Sequence, residues 1–245
     1  MPVLESFNGI PLHRWSDEEV KSFWDYHSSF HSSYFSRDNA NFFLRYFRYL
    51  PKSRPSALDY GCGDGGLIES ILESPFKPSE LTVSGFDYSP ESASKVADQF
   101  SGHPNFLGAF SSFQSLQNSP SCKFDLIYCL EVIEHCYDDN LDLLLTSLRS
   151  LLKSHGVVVL SNPLDEDLTK QLIFNPVDSR LFHAWQHVRS WSVNELSNTL
   201  ISYGLRPVDI LKTSIVWHRN SFLHSIYRRL RYPRPANLIV VASLN

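Results

Sequence analysis

From about residue 55 onward, short apolar runs alternate with stretches in which apolar residues recur every three or four positions, the pattern of βα units feeding a mostly parallel sheet. The first run, SALDYG (56–61), enters a glycine-rich turn, Gly61-Cys62-Gly63-Asp64-Gly65-Gly66, followed by the helical LIESILES. The second run, LTVSGFDYS (81–89), hands over to a helix that Ser89 can cap. Pro90 stands at its first position and Ala93, Val96, Ala97 and Phe100 fall on one face, with Gly102 as its end. A weaker run, NFLGAF (105–110), and a polar stretch precede FDLIYCLEVIEH (124–135), which reads as a buried strand running into an acidic turn.

The clearest helix follows. Asp138 or Asp139 can cap it, and Leu141, Leu144, Leu145, Leu148, Leu151 and Leu152 form a stripe that must face a sheet. Gly156 closes it before a fifth strand, GVVVLSNP. Ser192 and Glu195 form a capping box, with Trp191 and Leu196 placed to staple it, so a helix is predicted over 192–203, ended by Gly204. The last runs, 206–217 and 236–245, have no long helical pattern between them, which favours a closing antiparallel pair.

Residues 1–50 differ from the rest. The segments FWDYHSSFHSSYF and NFFLRYFRYL crowd aromatic residues at near-helical spacing and predict two helices, an amino-terminal appendage ahead of a main domain at 51–245. LPKSRPS (50–56) reads as the joint. Phe23, Trp24, Tyr26, Phe30, Tyr34 and Phe35 sit in a segment too short to bury them, so a lid over the sheet's carboxyl edge is expected of residues 10–50, with packing on the sheet flank or on a second subunit as the alternative.

Composition narrows the classes. At 245 residues and 42% apolar content the chain can bury one sizeable core. It carries neither a bilayer-length apolar run nor a secretory signal pattern, which points to a cytoplasmic protein without a transmembrane segment. Cys62, Cys122, Cys129 and Cys136 contain no CxxC pair and read as reduced thiols. The net charge of −4 divides unevenly: residues 206–245 hold seven Lys and Arg against one acidic residue, most of them in 217–235. That stretch reads either as a solvated surface element or as a patch for an anionic partner.

Gly61, Gly63 and Gly66 satisfy GxGxxG, in which bare backbone N–H groups at a helix start approach a ligand. Asp59 extends the pattern to DxGxGxG. Its carboxylate, with Asp64, disfavours a pyrophosphate and favours a ligand carrying an ammonium and a sulfonium, which selects S-adenosylmethionine over a nicotinamide dinucleotide. Asp87 closes the second strand, where a carboxylate can accept hydrogen bonds from both ribose hydroxyls. Together LDYGCGDGG, GFDYS, FDLIYCLEVIEH and GVVVLSNP resemble the class I methyltransferases. The resemblance implies a Rossmann-like α/β fold with a seven-stranded, mostly parallel sheet, a final antiparallel hairpin and helices on both faces. It also implies that Asp59, Gly61, Cys62 and Gly63 line the methionine end of the cofactor, Asp87 and Tyr88 the ribose and adenine, and Leu130 and Glu131 the floor beneath the sulfonium. Phe110, Ser111 and Ser112 replace the acidic residue that many members use for the adenine amino group.

Glu131, Glu134 and His135 fall on one face if the turn after the fourth strand is helical, and His183 and His187 lie downstream at i and i+4. Three readings stand. A histidine takes a proton from an acceptor hydroxyl; the cluster binds a divalent ion that lowers the acceptor's pKa; or Glu131 and His135 pair to shape the loop. Here the chain resembles ubiquinone-pathway O-methyltransferases and small-RNA 2′-O-methyltransferases, both with ExxEH and a later His. The expected activity is O-methylation of a small molecule, lipid or glycan, with His135, His183, His187 and Glu131 as catalytic candidates. The acidic body argues against a nucleic acid, leaving a metal-dependent RNA 2′-O-methyltransferase as the alternative. A non-catalytic cofactor-binding module would need damaged loop glycines or Asp87, and both are intact.

Overall fold

A computed structural model describes residues 2–30, 35–119, 121–215 and 235–245. The amino terminus forms a small hairpin of β1 (Ser6–Phe7) and β2 (Ile10–Pro11), then α1 (Asp17–Phe30), α2 (Phe35–Asp38) and α3 (Ala40–Phe43) with a 3₁₀ segment at Leu44–Tyr49. The βα units follow as β3 (Ser56–Tyr60), α4 (Gly66–Glu73), β4 (Thr82–Phe86), α5 (Pro90–Phe100), β5 (Phe106–Phe110), α6 (Phe113–Gln117), β6 (Phe124–Leu130), α7 (Asp138–Leu151) and β7 (Leu152–Pro163). A second hairpin, β8 (Leu172–Asn175) and β9 (Arg180–His183), precedes α8 (Val193–Ser202), β10 (Leu205–Thr213) and β11 (Asn237–Leu244).

The main sheet has seven strands in the order β10-β11-β7-β6-β3-β4-β5. Strands β3 to β7 pair in parallel, and β11 runs antiparallel to both β7 and β10. Side chains alternate between its faces, as the two-residue period of a strand requires. On β6, Ile127 and Cys129 join the core under α7 and α8, whereas Leu126, Tyr128 and Leu130 join the core under α4. The α7 stripe packs as its spacing predicts, with Leu144, Leu145, Leu148 and Leu151 almost wholly buried.

The local signals in α5 and α8 are realised. Ser89 Oγ accepts the Ser92 N–H at 3.1 Å, and Ser192 and Glu195 complete the capping box. Two others differ. Tyr137, with no side-chain cap bond, stands before α7, because Asp138 turns to Arg189 at 2.7 Å. Gly156 does not separate helix from strand but lies inside β7, where a Cβ would fall 2.6 Å from the Phe124 carbonyl oxygen of the neighbouring strand.

The segment ahead of the sheet divides in two. Phe43 and Tyr46 are buried in the α4-side core, and Tyr128 donates its hydroxyl to the Phe43 carbonyl at 3.1 Å, so residues 35–50 pack on the sheet. The helix predicted on NFFLRYFRYL is short, α3 over Ala40–Phe43, and tightens to 3₁₀ from Leu44. Helix α1 instead reaches α5, where Ser89 Oγ donates to Asp25 Oδ1 at 2.6 Å. The basic stretch at 217–235 lies, except for its last residue, outside the described residues, as do His31 and Tyr34. Among the described residues no helix is long and apolar enough to cross a membrane.

Candidate active site

The glycine turn joins β3 to α4 at the carboxyl edge of the sheet. Gly61, Gly63 and Gly65 all have positive φ, a region that side chains with a Cβ disfavour. A Cβ on Gly61 would stand 2.7 Å from Val132 Cγ2. The N–H groups of Gly61 and Cys62 both bond to the Phe86 carbonyl, and the Gly63 N–H bonds to Asp87 Oδ2 at 2.9 Å. Asp87 Oδ1 accepts the Ser89 N–H at 2.9 Å, so this carboxylate ties the turn to the start of α5.

Asp59, one residue inside the end of β3, is 1% exposed, and its Oδ2 has no hydrogen-bond partner among the described residues. Burial, with the charge of Asp87 behind it, holds its carboxyl well above the ordinary range. An orphaned buried carboxylate beside a Cβ-free cradle suits a ligand that brings an ammonium group. Asp64 differs from the sequence reading: Arg37 Nε bonds it at 2.5 Å and Arg37 also reaches Glu69, so the repulsion assigned to Asp64 is largely cancelled. Tyr88 stands half exposed, with its hydroxyl 3.2 Å from that of Tyr60.

A second group of ionisable side chains gathers one strand away, beyond β6 and β7. Leu130 is buried, and Glu131 follows it in the left-handed region at φ 53°. Ser161 Oγ donates to Glu131 Oε1 at 2.8 Å. Glu134, on the 3₁₀ turn Ile133–His135, is 1% exposed, and among the described residues its carboxylate oxygens meet no N–H or hydroxyl donor, only the carboxyl of Glu131, with which they can share a proton. Burial and then the Glu131 charge push its carboxyl well above the usual range.

The histidines close the group from the far side. His135 Nδ1 lies 3.3 Å from the Gln186 carbonyl, a bond that the Nδ1–H tautomer makes, and Nε2 lies 4.0 Å from Glu134 Oε1. Glu166 Oε2 lies 2.6 Å from His187 Nδ1. His183 and His187 stack with ring centroids 4.6 Å apart, and His135 meets His187 edge-on at 4.9 Å. Burial lowers all three rings, His183 and His187 to about 4 and His135 well below its ordinary value, so they are neutral at pH 7. Glu134, His135 and His187 present candidate ligand atoms within 4.8 Å of one another, as do Glu166, His183 and His187.

Three non-glycine residues in the left-handed region mark this wall. They are Glu131, Asp165 just before Glu166, and Gln186 just before His187. Helix α1 covers the same place: Trp24 Nε1 donates to Gln186 Oε1 at 3.0 Å and its ring meets His135 edge-on, while His27 lies 5.7 Å from the half-exposed Trp185.

Sequence reasoning missed Glu166. A signal existed in Asp165-Glu166-Asp167, three acids just past the carboxyl end of β7, where ligands of α/β sheets gather.

A family profile described as a methyltransferase domain matches residues 30–210. The chain belongs to that methyltransferase family. With this Rossmann-like sheet and glycine turn it is an S-adenosylmethionine-dependent methyltransferase. It is 29% identical over 111 residues to a small RNA 2′-O-methyltransferase of Arabidopsis thaliana; the match covers 42% of this chain but 11% of that protein's length. Its fold is similar to the 1,6-didemethyltoxoflavin-N1-methyltransferase of Burkholderia thailandensis, solved with its substrate and S-adenosylhomocysteine. That likeness has a TM-score of 0.61 at 15% identity and covers 100% of both chains. A SAM-dependent methyltransferase of Archaeoglobus fulgidus matches with a TM-score of 0.57 and 18% identity over 90% of this chain and 98% of that one. At these identities the likeness is one of fold.

Proposed function

We propose that this methyltransferase acts on a hydroxyl oxygen of a small molecule, lipid or glycan, and that Glu131, Glu134, His135 and His187 hold a divalent cation beside the transferring methyl group. The observation that carries this reading is Glu134, a buried carboxyl that among the described residues meets only another carboxyl, Glu131, beside imidazoles that offer lone pairs. Burying two carboxyls against each other is costly, and a cation satisfies both. Mixed carboxylate and imidazole donors suit a borderline ion such as Mn²⁺ or Co²⁺, whereas Mg²⁺ would be held through the carboxylates. When bound, the cation supplies a Lewis acid that makes a hydroxyl more acidic.

The chain's own groups do the remaining work. Asp59 takes the ammonium of the cofactor, the backbone of Gly61 to Gly63 lies against its methionine end, and Asp87 and Tyr88 face its ribose and adenine. Leu130 and Glu131 form the floor under the sulfonium. Alignment of acceptor oxygen, methyl and sulfur contributes much of the rate. Trp24, His27 and Trp185, aromatic faces gathered at the cluster, receive the body of the acceptor, and α1 excludes water above it. The test is methyl transfer to a panel of hydroxylated acceptors with labelled S-adenosylmethionine. Activity should vanish with chelator and return with Mg²⁺, Mn²⁺ or Co²⁺; full activity in metal-stripped enzyme would leave a histidine base as the remaining reading.

The local identity to the plant RNA enzyme favours a second acceptor, the terminal ribose 2′-hydroxyl of an RNA. Methylation of a short single-stranded RNA, lost when its 3′ end is oxidised to a dialdehyde, distinguishes the two.

A further inference from the structure

The four candidate ligands leave two neighbours unused, Glu166 and His183, which form a second group of potential ligand atoms with His187. The hydrogen bonds decide what that pair can do. His183 Nδ1 receives the backbone N–H groups of Trp185 at 3.3 Å and His187 at 3.2 Å, so it carries no proton. The proton of the neutral ring is therefore on Nε2, which has no lone pair for a cation and lies 3.7 Å from Glu166 Oε1. Glu166 Oε1 accepts from Gln171 Nε2 at 3.3 Å, and Oε2 lies 2.6 Å from His187 Nδ1. An imidazole whose proton is held on Nδ1 offers its lone pair at Nε2, on the other side of the ring.

We infer that Glu166 is a positioning residue for the cation centre, fixing His187 as the Nδ1–H tautomer so that Nε2 is always the donor, while His183 stacks on the same ring and Gln171 steadies Glu166. The inference rests on the reading of His187 as a ligand, and it excludes Glu166 and His183 from the ligand set. A carboxylate behind a ligating histidine sets both its orientation and its basicity. The backbone supports the role. Leu164 bridges to Trp191, the Asp165 N–H bonds to the Trp191 carbonyl at 3.0 Å, and Asp165 then takes its left-handed turn into Glu166. Glu166 is therefore carried on a turn tied to the segment that also bears His187.

The experiment uses the full chain with Mn²⁺ as the probe, comparing the wild type with Glu166→Ala and Glu166→Gln. Free Mn²⁺ is read by electron paramagnetic resonance, and the ring nitrogens of His187 by ¹⁵N NMR of the metal-free proteins. S-adenosylmethionine affinity by calorimetry reports whether each variant is folded. Glu166→Ala should weaken Mn²⁺ binding about 10- to 100-fold, leave the cofactor affinity within about twofold, and move His187 from the Nδ1–H form toward the Nε2–H form. Glu166→Gln, whose amide oxygen still accepts from Nδ1, should restore most of the affinity and the tautomer. If Glu166→Ala does not fold, the glutamine variant decides, because a folded E166Q protein that keeps the Nδ1–H tautomer yet loses Mn²⁺ affinity, or loses that tautomer yet keeps the affinity, contradicts the inference. Unchanged Mn²⁺ affinity or an unchanged His187 tautomer in folded Glu166→Ala overturns the role of Glu166 and leaves the cation centre intact. A wild type that binds no Mn²⁺ overturns both.

Discussion

Ser161 Oγ donates to Glu131 Oε1 at 2.8 Å, while the Ser161 carbonyl accepts the Glu131 N–H at 2.9 Å. One residue of β7 thus holds both the backbone and the carboxyl of a residue in a strained conformation. Ser161→Ala removes a side-chain donor to that buried carboxyl. We expect a loss of about 1–3 kcal/mol in denaturant unfolding, together with slower methyl transfer at unchanged cofactor affinity. Wild-type turnover in the variant would show that Glu131 needs no such support.

Gly61→Val places a Cβ against Val132 at a position with φ of 89°. Asp59→Asn removes the charge proposed to meet the cofactor's ammonium. Each should weaken S-adenosylmethionine binding by at least about tenfold, the factor that corresponds to losing about 1.4 kcal/mol. Calorimetry on folded protein checks both, and wild-type affinity in the asparagine variant contradicts the role given to Asp59.

Burial raises the Glu131 carboxyl to about 7 and holds Glu134 higher than its ordinary range. A cation must displace the protons that these groups hold, so its affinity should rise with pH, by about tenfold per unit for each proton displaced. The rise should cover the region near pH 7 and level off once both carboxyls are ionised. Mn²⁺ titrations in two buffers of different ionisation enthalpy measure the protons released; affinity that is flat between pH 6 and 8 counts against this ligand set.

Deletion of residues 1–30 removes α1 and its contacts to Ser89, Gln186 and His135, but spares Phe43 and Tyr46 in the core. The shortened protein should fold and bind S-adenosylmethionine yet fail to transfer methyl. Deletion of residues 1–50 should abolish folding, seen by circular dichroism. If the shorter deletion also unfolds the chain, α1 is a structural helix and not a lid.

What the sequence revealed of this molecule was what short-range chemistry determines. The leucine stripe of α7, the box at Ser192 and Glu195, and the cap at Ser89 each depend on residues within a turn or two of one another, and each appears where its spacing predicts. The partition of the first 50 residues was not legible, because aromatic crowding states that a surface must be covered without saying which. Phe43 and Tyr46 take the sheet flank, whereas Trp24 takes the histidine wall. In the candidate site, Glu131, Glu134, His135 and His187 could be nominated from motif spacing. Glu166 could not be paired with His187 in this way, since only the turn after β7 brings them within 2.6 Å.

The left-handed turns at Glu131, Asp165 and Gln186 have a consequence for laboratory evolution. Backbone strain of this kind costs about 1–3 kcal/mol per residue, so a selection for heat resistance alone should favour glycine at Asp165 but keep Gln186, which is buried and accepts from Trp24 Nε1. Such winners should melt later and methylate more slowly, because a glycine hinge lets Glu166 wander. Thermal midpoints and turnover measured on the same selected clones would show whether durability and speed are opposed at this wall.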